Sequence, residues 1–177
     1  MNEIIYIFLI AQVVRAPAKV QLSVFSRILP FEQNLGKRTE NDTLTIWLIY
    51  SKDVKESVKM KEDFLNAFHS LKNKAIGGYP LKCSEIEIND KATLNNMKKG
   101  IAYITAIGID NLNKILKIAE QNKIFTITGE PGYVEKGVAM SVVLVYKRPQ
   151  VCLNLMACQT AGAKFNPQIM QFIKTIK

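Results

Sequence analysis

Segments typical of β-strands alternate with segments typical of helices, and this alternation constrains the fold more than any other feature of the sequence. The apolar, β-branched segment 44–50 predicts a central strand, and the segment from Val54 to Lys74 predicts an amphipathic helix. Further strands are predicted at 80–88, 101–105 and 123–128, with a short helix at 90–97 and a longer one beginning at Asp110. Because strands and helices joined by short connections form right-handed parallel crossovers, we expect an α/β domain with helices on both faces of a mostly parallel sheet.

The C-terminal third departs from this alternation. Segments 138–146 and 150–155 both have the pattern of strands, and only Lys147-Arg148-Pro149 separates them, which predicts an antiparallel hairpin. Segment 165–176 predicts a closing helix, with Asn166 as its cap and Pro167 at its first position. The predicted fold class is therefore a three-layer α/β sandwich with a mostly parallel mixed sheet and a C-terminal antiparallel hairpin.

Size and charge restrict the kinds of protein this chain can be. With 177 residues, 48% of them hydrophobic, it can bury a sufficient core without a metal ion or a disulfide. Its 24 Lys and Arg against 15 Asp and Glu give a net charge of +9, which favours anionic partners in a salt-dependent way. The basic residues are scattered along the predicted helices without interleaved exposed aromatic residues, so we do not expect nucleic-acid binding.

The N-terminus has the outline of a secretory signal peptide. Its apolar run, residues 4–11, is shorter than the roughly 20 residues needed to span a bilayer. No positive charge precedes the run, and Pro17 excludes cleavage directly after Ala16, but cleavage after Ala11 or after Ala18 is compatible with the sequence. The alternative is a buried first strand or helix end. We assign residues 1–18 to the signal peptide and 19–177 to a single domain.

The three cysteines do not have the spacing of a metal site. Cys83, Cys152 and Cys158 form no CxxC pair, and His69 is the only histidine, so neither a zinc site nor any other metal centre is predicted. Buried thiols are the favoured state for all three. A disulfide between Cys152 and Cys158 is the alternative, and it requires the chain to double back between them.

Motifs for catalysis are weak. The sequence has no glycine-rich phosphate loop, His69 lies within an amphipathic helix, and a solvated sheet edge explains Glu85 and Glu87, which share a strand face. The unusual segment is 128–137, which follows the fourth predicted strand, where open α/β sheets place their ligand loops. A connector into the hairpin would also explain it. The candidate binding residues at this edge are Thr105, Thr128, Gly129, Glu130 and Tyr133.

Several segments together resemble one known family. Ile127-Thr128-Gly129, Tyr133-Val134-Glu135-Lys136-Gly137, Leu153-Asn154-Leu155-Met156-Ala157 and Gly162-Ala163-Lys164-Phe165 are similar to the carboxyl motif of the YfiR/HmsC-like proteins. The resemblance covers residues 18–177 and implies an exported, periplasmic α/β domain that is not an enzyme and needs no cofactor. The best-known member of that family is a dimeric repressor that binds the periplasmic part of a membrane-bound diguanylate cyclase. Cys152 and Cys158 stand where the family has an aliphatic residue and alanine, so a redox role known for one member is not transferred.

Two hypotheses about function follow. The first is a non-catalytic periplasmic regulator, expected to be dimeric in the manner of the family, that inhibits an inner-membrane sensor such as a diguanylate cyclase. The second is a small-solute-binding module that resembles one lobe of a periplasmic binding protein. A deep polar cleft beside Thr105, Thr128 and Glu130 would favour the second, and a flat apolar patch at a two-fold axis the first. Three residues are expected to support the fold: Asn154 by holding a neighbouring loop, and Gly162 by permitting the turn that brings Phe165 onto the core.

Overall fold

A nine-stranded mixed sheet forms the centre of the molecule, for which a computed structural model describes residues 12–176. The strands run β1 (Val13–Arg15), β2 (Leu44–Tyr50), β3 (Ala75–Ile76), β4 (Tyr79–Glu87), β5 (Ile101–Ile104), β6 (Phe125–Thr128), β7 (Met140–Val145), β8 (Arg148–Asn154) and β9 (Lys174–Ile176). The α-helices are α1 (Ala18–Ile28), α2 (Lys55–His69), α3 (Lys91–Asn95), α4 (Ile109–Gln121), α5 (Leu155–Thr160) and α6 (Pro167–Met170). Strand order is β3-β4-β2-β5-β6-β7-β8-β9, and β1 pairs with β7.

The sheet is parallel at its centre and carries a hydrophobic core on each face. Strands β4, β2, β5, β6 and β7 are joined by parallel pairs, whereas β7 and β8 are antiparallel. Alternate residues of β5 point to opposite faces. Ile101 and Tyr103 belong to the core beneath α1 and α2, while Ala102 and Ile104 belong to the core beneath α3 and α4. The predicted α/β class, with its mostly parallel sheet and C-terminal hairpin, is confirmed.

The predicted closing helix over 165–176 is wrong. Its start is as expected, because Pro167 occupies the first turn of α6 and the Asn166 side chain accepts a hydrogen bond from the N–H of Gln168. The helix nevertheless ends at Met170, and β9 then pairs in parallel with β8. The free edge of β8 offers unpaired backbone groups, and the β-branched residues of segment 173–176 suit a strand better than a helix.

Two other boundaries differ from the sequence prediction. The hairpin turn consists of Tyr146 and Lys147, whose φ values of 49° and 62° match the two-residue turn that fits strand twist. Arg148 and Pro149, predicted to lie in the turn, therefore belong to β8. Leu155 was predicted to be the last residue of the strand, but it begins α5, because the Asn154 side chain caps that helix by accepting from the N–H of Ala157.

The N-terminal segment bears on the predicted signal peptide. Its apolar run, 4–11, lies outside the described residues. Residues 13–15 form β1, which pairs antiparallel with β7, and the following Ala16 is buried. Cleavage after Ala18 would remove this strand, whereas cleavage after Ala11 would keep it. The division at residue 18 thus stays a prediction, and the fold favours the earlier of the two positions.

Candidate functional site

The predicted binding residues meet at the carboxyl edge of the sheet, but their hydroxyl groups are bonded to the chain itself. Thr105 follows β5, and its Oγ1 donates to the carbonyl of Ile49 at 3.0 Å and lies 2.6 Å from Ser57 Oγ. Thr128 ends β6, and its Oγ1 donates to the carbonyl of Ile104 at 2.7 Å and accepts from the N–H of Glu130 at 3.0 Å. Both threonines are 0% exposed. They hold the ends of adjacent strands together and do not face a cleft.

Glu130 is held by an arginine that the sequence reasoning missed. Its carboxylate accepts from Arg15 Nε at 3.0 Å and from Nη2, while Arg15 Nη1 contacts Glu56 on α2. Partial burial lowers the pKa of Arg15, but its hydrogen bonds to Glu56 and Glu130 outweigh burial and raise that pKa above its ordinary value. The hydrogen bond from Arg15 lowers the pKa of Glu56. Arg15 was overlooked because it lies in the segment assigned to the signal peptide.

Gly129 allows the side chain of Gln21 to pack closely against the backbone. A Cβ built at this position would lie 2.1 Å from Nε2 of Gln21, so a larger residue would displace the Gln21 amide. The buried Gln21 amide donates to the carbonyl of Ala16 at 2.6 Å and accepts from the hydroxyl of Tyr103 at 2.8 Å. Burial raises the pKa of Tyr103, which therefore stays a neutral donor. The absence of a side chain at Gly129 thus leaves room for the buried hydrogen bonds of Gln21.

Tyr133, one of the candidate binding residues, is enclosed by the protein. It is only 7% exposed, and its hydroxyl accepts from the N–H of Gly108 at 3.1 Å, at the start of α4. Burial raises the pKa of Tyr133. The side chain anchors segment 129–137 to α4 and leaves little surface for a partner.

The expected support residues make specific contacts. Asn154 Nδ2 donates to the carbonyl of Val134 at 3.0 Å, which ties the end of β8 to segment 129–137. Gly162 has a φ of 65°, in the left-handed region that favours glycine. The Phe165 ring packs 5.9 Å from that of Phe125, measured between centroids.

The cysteines are free thiols in the structure, and Cys152 and Cys158 do not form the alternative disulfide. Burial raises the pKa of Cys158 and of Cys83 to about 12, and it also raises the pKa of Cys152. These thiols are therefore protonated, and weakly nucleophilic, near neutral pH.

An apolar groove lies between α5 and α6, away from the predicted site. Its volume is about 560 Å³, and we call it the α5–α6 groove. The side chains along it include Leu153, Leu155, Phe165, Pro167 and Met170. Two large aromatic residues in the adjoining segments are exposed: Phe172, 74% exposed just after α6, and Phe31, 40% exposed in the turn whose carbonyl accepts from the N–H of Asn166. Sequence periodicity missed this surface because it assigned segment 165–176 to one helix.

Clusters of side chains that could bind a metal ion do not occur in the part of the chain that the structure describes. Among residues 12–176, no three His, Cys, Asp or Glu side chains lie close enough together to hold a metal ion. Every fully buried side-chain N or O atom in this range has a hydrogen-bond partner. No helix within the same range is long and apolar enough to cross a membrane.

Comparison with known proteins identifies the family. A family model described as YfiR/HmsC-like matches residues 18–172. This chain belongs to the YfiR/HmsC-like family. The resemblance found in the sequence is thereby confirmed, and membership associates the chain with periplasmic regulators. Among curated proteins, none matches this sequence.

Solved structures share the fold at low sequence identity. An ABC domain in complex with L-Trp from Streptococcus pneumonia is 15% identical, with a TM-score of 0.62 over 90% of this chain and 60% of that chain. A conserved domain protein from Vibrio cholerae is 14% identical, with a TM-score of 0.61 over 92% and 60%. A substrate-binding protein with adhesive properties from Clostridium difficile, in a ligand-free, open structure, is 17% identical, with a TM-score of 0.58 over 89% and 58%. This member of the YfiR/HmsC-like family thus spans about 60% of the length of these structures.

Proposed function

We propose that this protein is a non-catalytic periplasmic regulator that binds the periplasmic part of an inner-membrane signalling protein, such as a diguanylate cyclase, and holds it inactive. The observation that carries the proposal is the α5–α6 groove, together with the exposed Phe172 and Phe31 in the segments that adjoin it. Large apolar surfaces bordered by polar residues mark sites of protein association. Membership of a family of periplasmic regulators supports this role and is the reason for proposing this class of partner.

The energy required for inhibition is small. Shifting a partner from an even mixture of two states to 99% inactive takes about 2.7 kcal/mol of differential binding. Full burial of one phenylalanine side chain contributes roughly 1.5–3 kcal/mol. Insertion of Phe172 into a partner surface that exists only in the inactive state would therefore account for most of the shift.

Affinity-tagged protein recovered from cells tests the proposal through matched variants. We expect the wild type to retain an inner-membrane protein with a periplasmic domain, and Phe172→Ser to lose it. Tyr146→Ser is the control, because Tyr146 is an aromatic residue that is 55% exposed in the hairpin turn and does not line the groove. Retention of the membrane protein by Phe172→Ser would refute the proposed surface, and absence of any inner-membrane signalling protein from the wild-type sample would refute the function.

A homodimer is the proposed oligomeric state, supported by the family. Sedimentation of the wild type and Phe172→Ser separates two uses of the groove. If the variant loses the membrane partner while sedimenting as a dimer, the groove binds the partner. If it becomes a monomer, the groove is the contact between two copies, and the partner binds elsewhere.

The second candidate function is solute binding. The likeness to a domain solved in complex with L-Trp and to a substrate-binding protein favours it, because both structures share this fold. Against it stands the carboxyl edge of the sheet, where Thr105 and Thr128 are enclosed and bonded to the chain. Calorimetric titration with L-tryptophan, the compound bound in one of the similar structures, tests this function. We expect no heat of binding at millimolar ligand, and saturable binding would favour a solute-binding module.

A further inference from the structure

A second cavity lies at the opposite, amino edge of the sheet, where β5 and β6 begin. Its volume is about 380 Å³, within the range of small-molecule pockets. Four short segments form its walls: 34–38, 98–100, 122–124 and 161–162. Five of the lining residues are basic and none is acidic, and we call it the basic cavity. These five are Lys37, Arg38, Lys98, Lys99 and Lys123.

Arg38 fixes the walls of the basic cavity. It is buried, and its Nε donates to Glu32 Oε2 at 3.2 Å, so its charge is neutralised within the protein. Its Nη1 donates to the carbonyl of Lys123 at 3.2 Å and its Nη2 to the carbonyl of Ala161 at 3.0 Å. One side chain therefore crosslinks three of the four wall segments.

The wall in front of β5 is fixed separately. Trp47 Nε1 donates to the carbonyl of Lys99 at 2.6 Å. Gly100 has a φ of 107°, and a Cβ there would lie 2.5 Å from the carbonyl oxygen of Thr45. Close backbone packing thus fixes the turn that contains Lys98 and Lys99, so the backbone positions of these lysines are preorganised.

The four lysines keep their charges available. All four are exposed, and in the described part of the chain no carboxylate lies within ion-pairing distance of them. With Arg38 paired to Glu32, the basic cavity still carries four positive charges from Lys37, Lys98, Lys99 and Lys123. Like charges placed together around a concave surface repel one another, and an anion between them relieves that repulsion.

We propose that the basic cavity binds a small anion bearing a phosphate group. Lysine ammonium groups bind phosphate as point charges from several directions, which matches four lysines on three different wall segments. No aromatic side chain lines the cavity, so recognition rests on the charged group rather than on a stacked ring. This inference does not depend on the proposed regulatory function.

Calorimetric titration of the whole protein tests the inference, with pyrophosphate as the soluble probe. The test variant is Lys98→Gln with Lys123→Gln, which removes one lysine from each of two walls. The control is Lys52→Gln with Lys72→Gln, which removes the same charge from exposed positions outside the cavity. Loss of one charge-assisted hydrogen bond weakens binding at least about tenfold, and the test variant loses two, so we expect it to bind at least roughly 100-fold more weakly and the control to bind within about threefold of wild type.

A second arm identifies the source of the phosphate. Vesicles of phosphatidylglycerol present the same group on a lipid, and vesicles of phosphatidylcholine are the neutral control. Pyrophosphate binding that the test variant loses assigns a soluble phosphate compound. Binding to phosphatidylglycerol alone, lost in the test variant only, assigns a lipid headgroup. The inference is overturned if neither probe binds, or if the control pair weakens binding as much as the test pair. Because all four substituted side chains are exposed, equal unfolding midpoints would show that the variants are folded.

Discussion

The buried ion pair between Glu32 and Arg38 yields the most demanding prediction. The side chains are 0% and 7% exposed. Glu32 Oε2 accepts from Arg38, and Oε1 accepts from the N–H of Asn34 at 2.9 Å and of Lys164 at 3.0 Å. Glu32→Ala would leave a buried guanidinium without its carboxylate and two N–H groups without their acceptor. Removing one partner of a buried pair costs about 3–5 kcal/mol, a large part of the roughly 5–15 kcal/mol that stabilises a domain.

Urea unfolding followed by circular dichroism measures this loss for Glu32→Ala, and a separate double-mutant cycle measures the coupling between the two side chains. The single variants are Glu32→Gln, which keeps the Oε1 acceptor and therefore folds more readily than Glu32→Ala, and Arg38→Met. The double variant should lose less than the sum of the singles, by about 1–3 kcal/mol, because the second substitution no longer strands a charge. Glu40→Ala, at an exposed position in the same segment, is the control and should change stability by less than about 0.5 kcal/mol. Additive losses, or a loss below about 1 kcal/mol for Glu32→Ala, would refute the reasoning.

Three further outcomes follow from the structure. Arg15→Met should destabilise the fold by about 1–2 kcal/mol at low salt, because Glu130 loses its partner, and an unchanged urea midpoint would contradict this. Edman sequencing of the exported protein should find Gln12 at its N-terminus, since cleavage after Ala18 would remove β1, and an N-terminus at Lys19 would refute that expectation. Burial raises the pKa of Cys158 to about 12, so the folded state holds this thiol proton more tightly than the unfolded chain does. The neutral thiol therefore stabilises the folded state fully below the unfolded pKa of about 8.5, and this stabilisation is lost as pH rises toward 12. Between these pH values, the free energy of unfolding of Cys158→Ala should fall less than that of the wild type.

Local sequence patterns predicted the parallel part of the fold. The apolar segment 44–50 became β2, and the segments around 101–105 and 123–128 became β5 and β6, because central strands must be apolar on both faces. The carboxyl edge was also located correctly, since the ends of neighbouring parallel strands meet there whatever the detailed packing. Thr105, Thr128 and Glu130 do lie close together at this edge.

Local sequence pattern could not predict whether those residues bind a ligand or form hydrogen bonds within the chain. A threonine after a strand has the same sequence signature whether its hydroxyl faces a ligand or a backbone carbonyl. The partners that decide this are distant in sequence: Ser57 for Thr105, Arg15 for Glu130 and Gly108 for Tyr133. Only the tertiary structure brings these groups within hydrogen-bond distance.

The amino-acid sequence by itself determined the α/β class, the succession of central strands and helices along the chain, and the family, because these depend on periodicity and on short motifs. Tertiary structure decided which surfaces are available for binding. The α5–α6 groove exists because the end of the chain turns into β9 along β8, and the basic cavity exists because Arg38 draws together segments that are more than 80 residues apart. The free energy of such long-range contacts depends on the whole packed chain, so no short stretch of sequence encodes them.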